Sequence, residues 1–265
     1  MKILCLGDLH AGSRYSPWPA DYPLATGDAN EKTTWGCSLA QKMLNKFWAA
    51  LIKDAKRHKP DVIILNGDMI EGGNYRSVDV VTIRNDEQIG GARALLRPLV
   101  DTAQKKVFML RGTGFHVGRG GENEAVLAHL LGVEYLPELY LQTPAGVVNA
   151  LHHIGTTTRP MLEQNALGNA LGDKELELLR AHGRERMPDL RCIVRSHRHR
   201  SIAVTLPSGR LAVTLAPFQL KTDFGYKVAP NTEPQVSYIW LMATEKGFDT
   251  ETVSLEIPPP IVREV

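Results

Sequence analysis

The stretch KILCLGDLHAG, residues 2–12, opens on five residues suited to a buried strand and then breaks into glycine, aspartate and histidine. Side chains two apart on an extended chain share a side, so Asp8 and His10 can face one point. The same arrangement recurs four times. DVIIL (61–65) leads into NGDMIEGG, KVFML (106–110) into RGTGFHVGRGG, VVNAL (147–151) into HHIG, and RCIVR (191–195) into SHRHRS. Each run is short and apolar, as a buried strand is. Residues 38–58 place Leu39, Met43, Phe47, Ala50, Leu51 and Ala55 near helical spacing, and 86–104, 122–131 and 161–182 also read as helices. Strands alternating with helices predict an α/β architecture. In open α/β sheets, sites form where strand carboxyl ends converge. Five strands that all end in Asp, His or Gly therefore predict one site.

After residue 200 the pattern changes. SIAVTLP (201–207), RLAVTLA (210–216), VSYIWLMA (236–243) and TETVSLEI (250–257) follow one another without helices, and PSG at 207–209 reads as a hairpin turn. These strands are expected to form a second sheet packed on the first. No linker is evident, so residues 1–265 read as a single domain with a β-rich part from about 201. The segment 11–35, with Tyr15, Trp18, Tyr22 and Trp35, lacks a period. It is either a lid over the site or packing at the edge of the fold.

Composition narrows the class. Hydrophobic residues make up 43% and charged residues 23%, as in a water-soluble globular protein. The formal net charge is +2, so any attraction for nucleic acid must be local. Cys5, Cys37 and Cys192 are too few and scattered for a disulfide framework or a CxxC zinc site. They read as reduced thiols in a cytoplasmic protein. No apolar run is long enough to span a bilayer, so no membrane partner is expected.

Asp8, His10, Asp68, His152, His153, His197 and His199 are more ligand-type residues than one tetrahedral ion needs. Two ions sharing a carboxylate would use them, and such pairs clamp both oxygens of an in-line phosphoryl displacement. Carboxylate with imidazole favours Mn, with Fe, Zn or Ni as alternatives. Taken alone, Asp8 or Asp68 would be read as a turn residue. On an extended chain His152 and His153 point oppositely, so one of them at most reaches an ion. Arg195, Arg198 and Arg200 interleave with His197 and His199. They would repel a lone cation, yet they suit a phosphate bound beside it. The seven arginines of 180–200 read equally as a solvated surface.

The blocks GDLH, NGDMIEGG, HH and SHRH resemble, in order and spread, the signature blocks of the calcineurin-like metallophosphoesterases, over roughly residues 1–220. The resemblance implies a four-layer α/β/β/α sandwich. It also implies two divalent ions and hydrolysis of a phosphoester by in-line attack of a hydroxide bridging them. Asp8, His10 and His199 would hold the first ion, Asp68 would bridge, and His197 with one of His152 or His153 would hold the second. HIG resembles the His-x-Gly of some relatives and favours His153. The family's third block, Gly-Asn-His followed by an acidic residue, is altered to RGTGFHVG. Thr113 takes the position of the Asn ligand, and His116 inherits the role of acid toward the leaving group. Asn123 or Glu122 could supply the missing ligand. This variant block, with HHI and QLKT…FGYK, resembles proteins encoded by phages and prophages. GDLHAG looks closer to the first block of nuclease members than to that of phosphatases acting on proteins, so DNA or RNA is the expected substrate. The alternatives are a phosphomonoesterase and a binding protein that does not turn its ligand over.

Overall fold

The protein, seen in a computed structural model, is described over residues 1–26, 31–73, 79–155, 162–228 and 232–258. Its strands are β1 (Lys2–Leu6), β2 (Pro23–Ala25), β3 (Lys32–Thr34), β4 (Val62–Leu65), β5 (Lys106–Leu110), β6 (Glu134–Leu136) and β7 (Leu139–Thr143). They continue with β8 (Gly146–Ala150), β9 (Leu190–Arg195), β10 (Ile202–Thr205), β11 (Leu211–Thr214), β12 (Ser237–Thr244) and β13 (Gly247–Ser254). The helices are α1 (Leu39–His58), α2 (Asn85–Val100), α3 (Gly114–Val117), α4 (Glu122–Leu131), α5 (Glu163–His182) and α6 (Asp223–Val228). Residue 161, the expected start of α5, lies outside the described residues.

All five strands that end in Asp, His or Gly form, and they divide between two sheets. One has the order β13-β12-β1-β4-β5-β6 and the other β10-β11-β9-β8-β7. β1, β4, β5 and β6 run parallel, as do β8, β9 and β11. Alternation along each strand assigns its two faces. Leu4, Leu6, Ile63, Leu65, Val107 and Met109 join the cluster that contains Leu44, Leu51, Leu96 and Leu127 of α1, α2 and α4. Ile3, Cys5, Val62, Ile64, Phe108 and Leu110 pack instead on Val148, Cys192, Val194 and Val213 of the second sheet. The far face of that sheet, through Ile193 and Ala212, takes Leu167, Leu171 and Leu178 of α5.

The last strands correct the sequence reading. β10 and β11 extend the second sheet, but β12 returns to the first and pairs antiparallel with β1. A tight turn then sets the register of β13, with Thr244 opposite Gly247 and Ser237 opposite Ser254. That register places β13 three residues before the expected 250–257. β6 has three residues, too few to show a period.

The segment 11–35 is packing rather than a lid; residues 27–30 lie outside the described residues. Trp18 is fully buried with Leu24 and Val81, and Tyr22 and Trp35 pack on them. Tyr22 meets Trp18 edge-on at 5.5 Å. Helix α2 accommodates these rings through consecutive glycines. A Cβ on Gly91 would overlap the Trp18 ring, and one on Gly90 the Tyr22 hydroxyl. Gly91→Ala should therefore destabilise the protein by about 1–3 kcal/mol through overpacking. Gly172→Ala, on α5 with open space around its Cβ, should stabilise by about 0.5–1 kcal/mol. Urea denaturation of the two variants checks the contrast. Equal effects would mean that the glycine pair does not exist to seat the aromatics.

Candidate metal centre

The loops that leave β1, β4 and β9 share an unusual backbone. Among the described residues, Asp8 (φ 51°), His10 (48°), Asp68 (53°), His197 (71°), His199 (54°) and Lys59 (50°) are the non-glycine residues in the left-handed region. Five of these six are predicted ligands. Each such conformation costs on the order of 1–3 kcal/mol and persists only where its surroundings impose it. Here the loops impose it on one another. Asp8 N–H donates to the Gly67 carbonyl (2.9 Å), His10 N–H to that of Asp68 (2.9 Å), and Phe218 N–H to that of Asp8 (3.0 Å). His197 N–H donates to Asp8 Oδ2 (3.1 Å).

The side chains then converge. Asp8 Oδ1 is buried with no hydrogen-bond partner, yet it lies 3.5 Å from His199 Nε2, 3.8 Å from His10 Nε2 and 4.0 Å from His152 Nε2. An anionic oxygen facing three imidazole nitrogens, without a hydrogen bond from any, suits a cation held among them. Ligand atoms lie within 4.8 Å of one another in four sets: Asp8–His10–His199, Asp8–Asp68–His152, His10–Asp68–His116 and His152–His153–His197. Thr113 sits at the hub of the second half. Its N–H donates to Asp68 Oδ1 (2.6 Å), and its hydroxyl lies 3.0 Å from Asp68 Oδ2, 3.3 Å from His152 Nε2 and 3.1 Å from His197 Nδ1.

The geometry favours His152 over His153, reversing the expectation. His152 is buried and its Nδ1 donates to the Asn66 carbonyl (2.7 Å), which turns Nε2 to Asp68 Oδ2 at 3.0 Å. His153 is exposed and approaches only the His152–His197 side. Glu122 joins no ligand set among the described residues: it is exposed and accepts the Gly120 amide. The residue of that stretch that matters is Glu124. It is buried and accepts the Met69 and Gly112 amides, each at 2.8 Å, so it joins the loops after β4 and β5. Burial, then Asp68, pushes its carboxyl up to about 7. Its signal was its place on the buried stripe of α4 with Leu127, Ala128 and Leu131.

Glu71, also missed, serves two histidines. Its carboxylate lies 2.9 Å from His10 Nδ1, and its carbonyl accepts from His116 Nδ1 at 2.6 Å. Both rings thus turn Nε2 the other way, and they meet edge-on at 4.5 Å.

The arginines do not form the expected phosphate rim. Arg195 is buried and donates to the Asn149 carbonyl (3.1 Å) and Oδ1 (2.8 Å). Arg198 Nε and Arg200 Nη1 lie 2.7 and 3.2 Å from the two carboxylate oxygens of Glu163, which is fully buried at the start of α5. The alternation of 197–200 sends the histidines to the centre and the arginines to the helix behind it.

Burial alone would lower His10 and His152. Glu71 outweighs it at His10 and raises that ring to about 9; Asp8 and Asp68 raise His152 to about 10. Burial, then His152, lowers His197 to about 4 and leaves it a neutral donor. Burial would also raise Asp8, but His152 and His199 outweigh it and hold the carboxyl below its ordinary value.

Residues 1–113 match the profile of the family described as calcineurin-like phosphoesterase. No curated protein matches the chain. Among solved structures it is similar to an archaeal phosphodiesterase, at 9% identity and TM-score 0.45, covering 96% of this chain and 100% of that one. It is also similar to a dimetal phosphatase from Danio rerio, at 12% identity and TM-score 0.46, covering 97% and 99%. A protein of unknown function from Aquifex aeolicus follows, at 7% identity and TM-score 0.34, covering 75% and 80%.

The raised histidines give a pH prediction. In metal-free protein the charged His10 and His152 stabilise the fold fully below the unfolded imidazole value of about 6.5. That stabilisation is lost as pH rises through about 9 and 10. A divalent ion competes with the same protons, so its affinity rises over the same range. Thermal melts of chelated and Mn-loaded protein from pH 6.5 to 8.5 should show the chelated midpoint falling and the gain from Mn growing. A gain independent of pH would mean that these rings do not exchange protons for metal.

Proposed function

We propose that this chain, whose residues 1–113 match the calcineurin-like phosphoesterase profile, is a metal-dependent hydrolase of phosphoric esters and, more narrowly, a dinuclear phosphodiesterase acting on nucleic acid. In this reading Asp8, His10 and His199 hold one ion, His152, His197 and Thr113 hold the other, and Asp68 reaches both. The carrying observation is that Asp68 belongs to two of the ligand sets and also contacts Thr113 and His152. Two bound divalent ions supply Lewis acidity to the phosphoryl oxygens and a nucleophile at neutral pH.

The chain's own residues supply the rest. Asp68 and Asp8 balance the charge of the ions. His116, with Nδ1–H given to Glu71, presents Nε2 to the departing alkoxide as general acid. Burial and His10 lower its pKa, so its imidazolium releases the proton more readily but is less populated at neutral pH, and the acid role rests on its position beside Glu71 and His10. Arg111 and Arg119 are exposed and enter no ion pair among the described residues, so they are suited to further phosphates. The exposed Phe115, whose ring lies 5.1 Å from that of His116, offers a face for a base. The net charge of +2 and the commitment of Arg198 and Arg200 to Glu163 favour the second reading, a phosphomonoesterase.

Chelation should abolish hydrolysis, and Mn should restore it. Asp68→Ala should be the most damaging ligand change, because it removes a partner from both ions. Full turnover in excess chelator, or two ions retained in Asp68→Ala, argues against the dinuclear reading. A panel of single-stranded DNA, duplex DNA, RNA, aryl diester and aryl monoester settles the substrate. Monoester cleavage far faster than diester, without salt-sensitive binding of nucleic acid, selects the second reading. Binding without turnover of any member selects a non-catalytic relative.

His116→Ala should keep the metal content and slow turnover by about 10²–10⁴-fold. The loss should shrink for esters whose leaving group needs no proton. Loss of an ion in this variant would make His116 a ligand instead.

A further inference from the structure

Glu163 has no part in the chemistry described so far, yet it is fully buried and it is the first residue of α5. A carboxylate there is costly unless it is paired. Its partners are the two arginines that flank His199. Arg198 also donates from Nη1 to the Gly155 carbonyl (3.0 Å), on the loop that carries His152 and His153. One ionic cluster therefore ties three pieces together: the start of α5, the loop after β8 and the loop after β9. His197 and His199, the candidate ligands of that last loop, both stand in the left-handed region. The nearby strand ends do not fix such a backbone by themselves, because β9 stops at Arg195 and β10 starts only at Ile202.

We propose that Glu163 is a positioning residue for the metal centre: through Arg198 and Arg200 it clamps the 196–201 loop so that His197 and His199 each face their own ion. The inference rests on the dinuclear reading of the centre. It gives the arginines of this loop a different task from the binding of substrate phosphate. Guanidinium forks suit it, since each can reach a carboxylate oxygen from a fixed direction. Because the loop gives one histidine to each ion, loosening it weakens both ions rather than one. Asp8, His10, Asp68, Thr113 and His152 stand on other loops, so binding is weakened and not abolished.

The test is calorimetric titration of Mn into chelator-treated, full-length protein, wild type against Glu163→Gln, with a thermal melt of each metal-free protein. The expected result is a dissociation constant raised about 10-fold at both sites, with a cooperative melt retained. A lower melting temperature with unaltered Mn affinity would make Glu163 a fold-stabilising residue only and would overturn the proposal. If Glu163→Gln does not fold, the combination Glu163→Leu, Arg198→Met and Arg200→Met replaces the charges by apolar groups, an exchange that buried ion clusters often tolerate. Unaltered Mn affinity in that protein overturns the proposal, and a weakening at both sites supports it. A wild-type protein that takes up no Mn, Fe, Zn or Ni overturns the dinuclear reading and this inference with it. Tight binding by the wild type with no effect of the variants overturns this inference alone.

Discussion

Two buried carboxylates, Asp8 and Asp68, set the conditions that the rest of the centre meets. Neither has access to bulk water, and a carboxylate in that position must be answered by positive charge or by hydrogen-bond donors. Asp68 receives the Thr113 amide and hydroxyl and the edge of His152. Asp8 receives the His197 amide on one oxygen, while the other stands bare among imidazoles. Protons on His10 and His152 answer this charge in part, and divalent ions would answer it more completely. The apolar sandwich around the strands makes the requirement strict, because it keeps water from doing the same work.

The sheets deliver these groups economically. Parallel strands place their carboxyl ends along one edge, so β1, β4 and β5 of one sheet and β8 and β9 of the other release their loops toward one point. The loops then lean on one another rather than on solvent. Glu124 joins the loop after β4 to that after β5, Asn66 receives His152 from across the sheets, and Glu71 orients His10 and His116 with two different atoms. These contacts oppose the strain of five left-handed candidate ligands, a cost that no single loop would bear alone.

Much of this was legible in the chain. The five strand-to-ligand transitions were visible as apolar runs broken by Asp, His or Gly, and every proposed ligand lies in one of them. What stayed hidden was pairing at long range. The partner of Arg198 and Arg200 is a glutamate 35 and 37 residues earlier, and nothing local marks Glu163 as buried. A run of arginines beside candidate metal histidines therefore looked like a cradle for substrate. The orientation of His152 was hidden for a related reason: it depends on the Asn66 carbonyl, on the loop after β4 of the other sheet. The order of β12 and β13 was hidden because an alternating strand shows that one face is covered, and not by which sheet.

The altered third block follows from the same accounting of donors. The Thr113 hydroxyl has one proton and two lone pairs, yet it contacts Asp68, His152 and His197. It can give its proton to Asp68 only if the two rings bring their own protons or share a cation with it. In the metal-free protein the raised His152 carries an Nε2 proton beside the Nδ1–H it gives to Asn66, and that second proton faces Asp68, while His197 is held neutral by burial and by His152. A cation that displaces the His152 Nε2 proton would satisfy the oxygen and both nitrogens at once, and the hydroxyl proton would then be left for Asp68. A threonine in this position is thus compatible with a second ion. It would bind that ion more weakly than an amide carbonyl, and it would do so through an oxygen whose aim depends on Asp68.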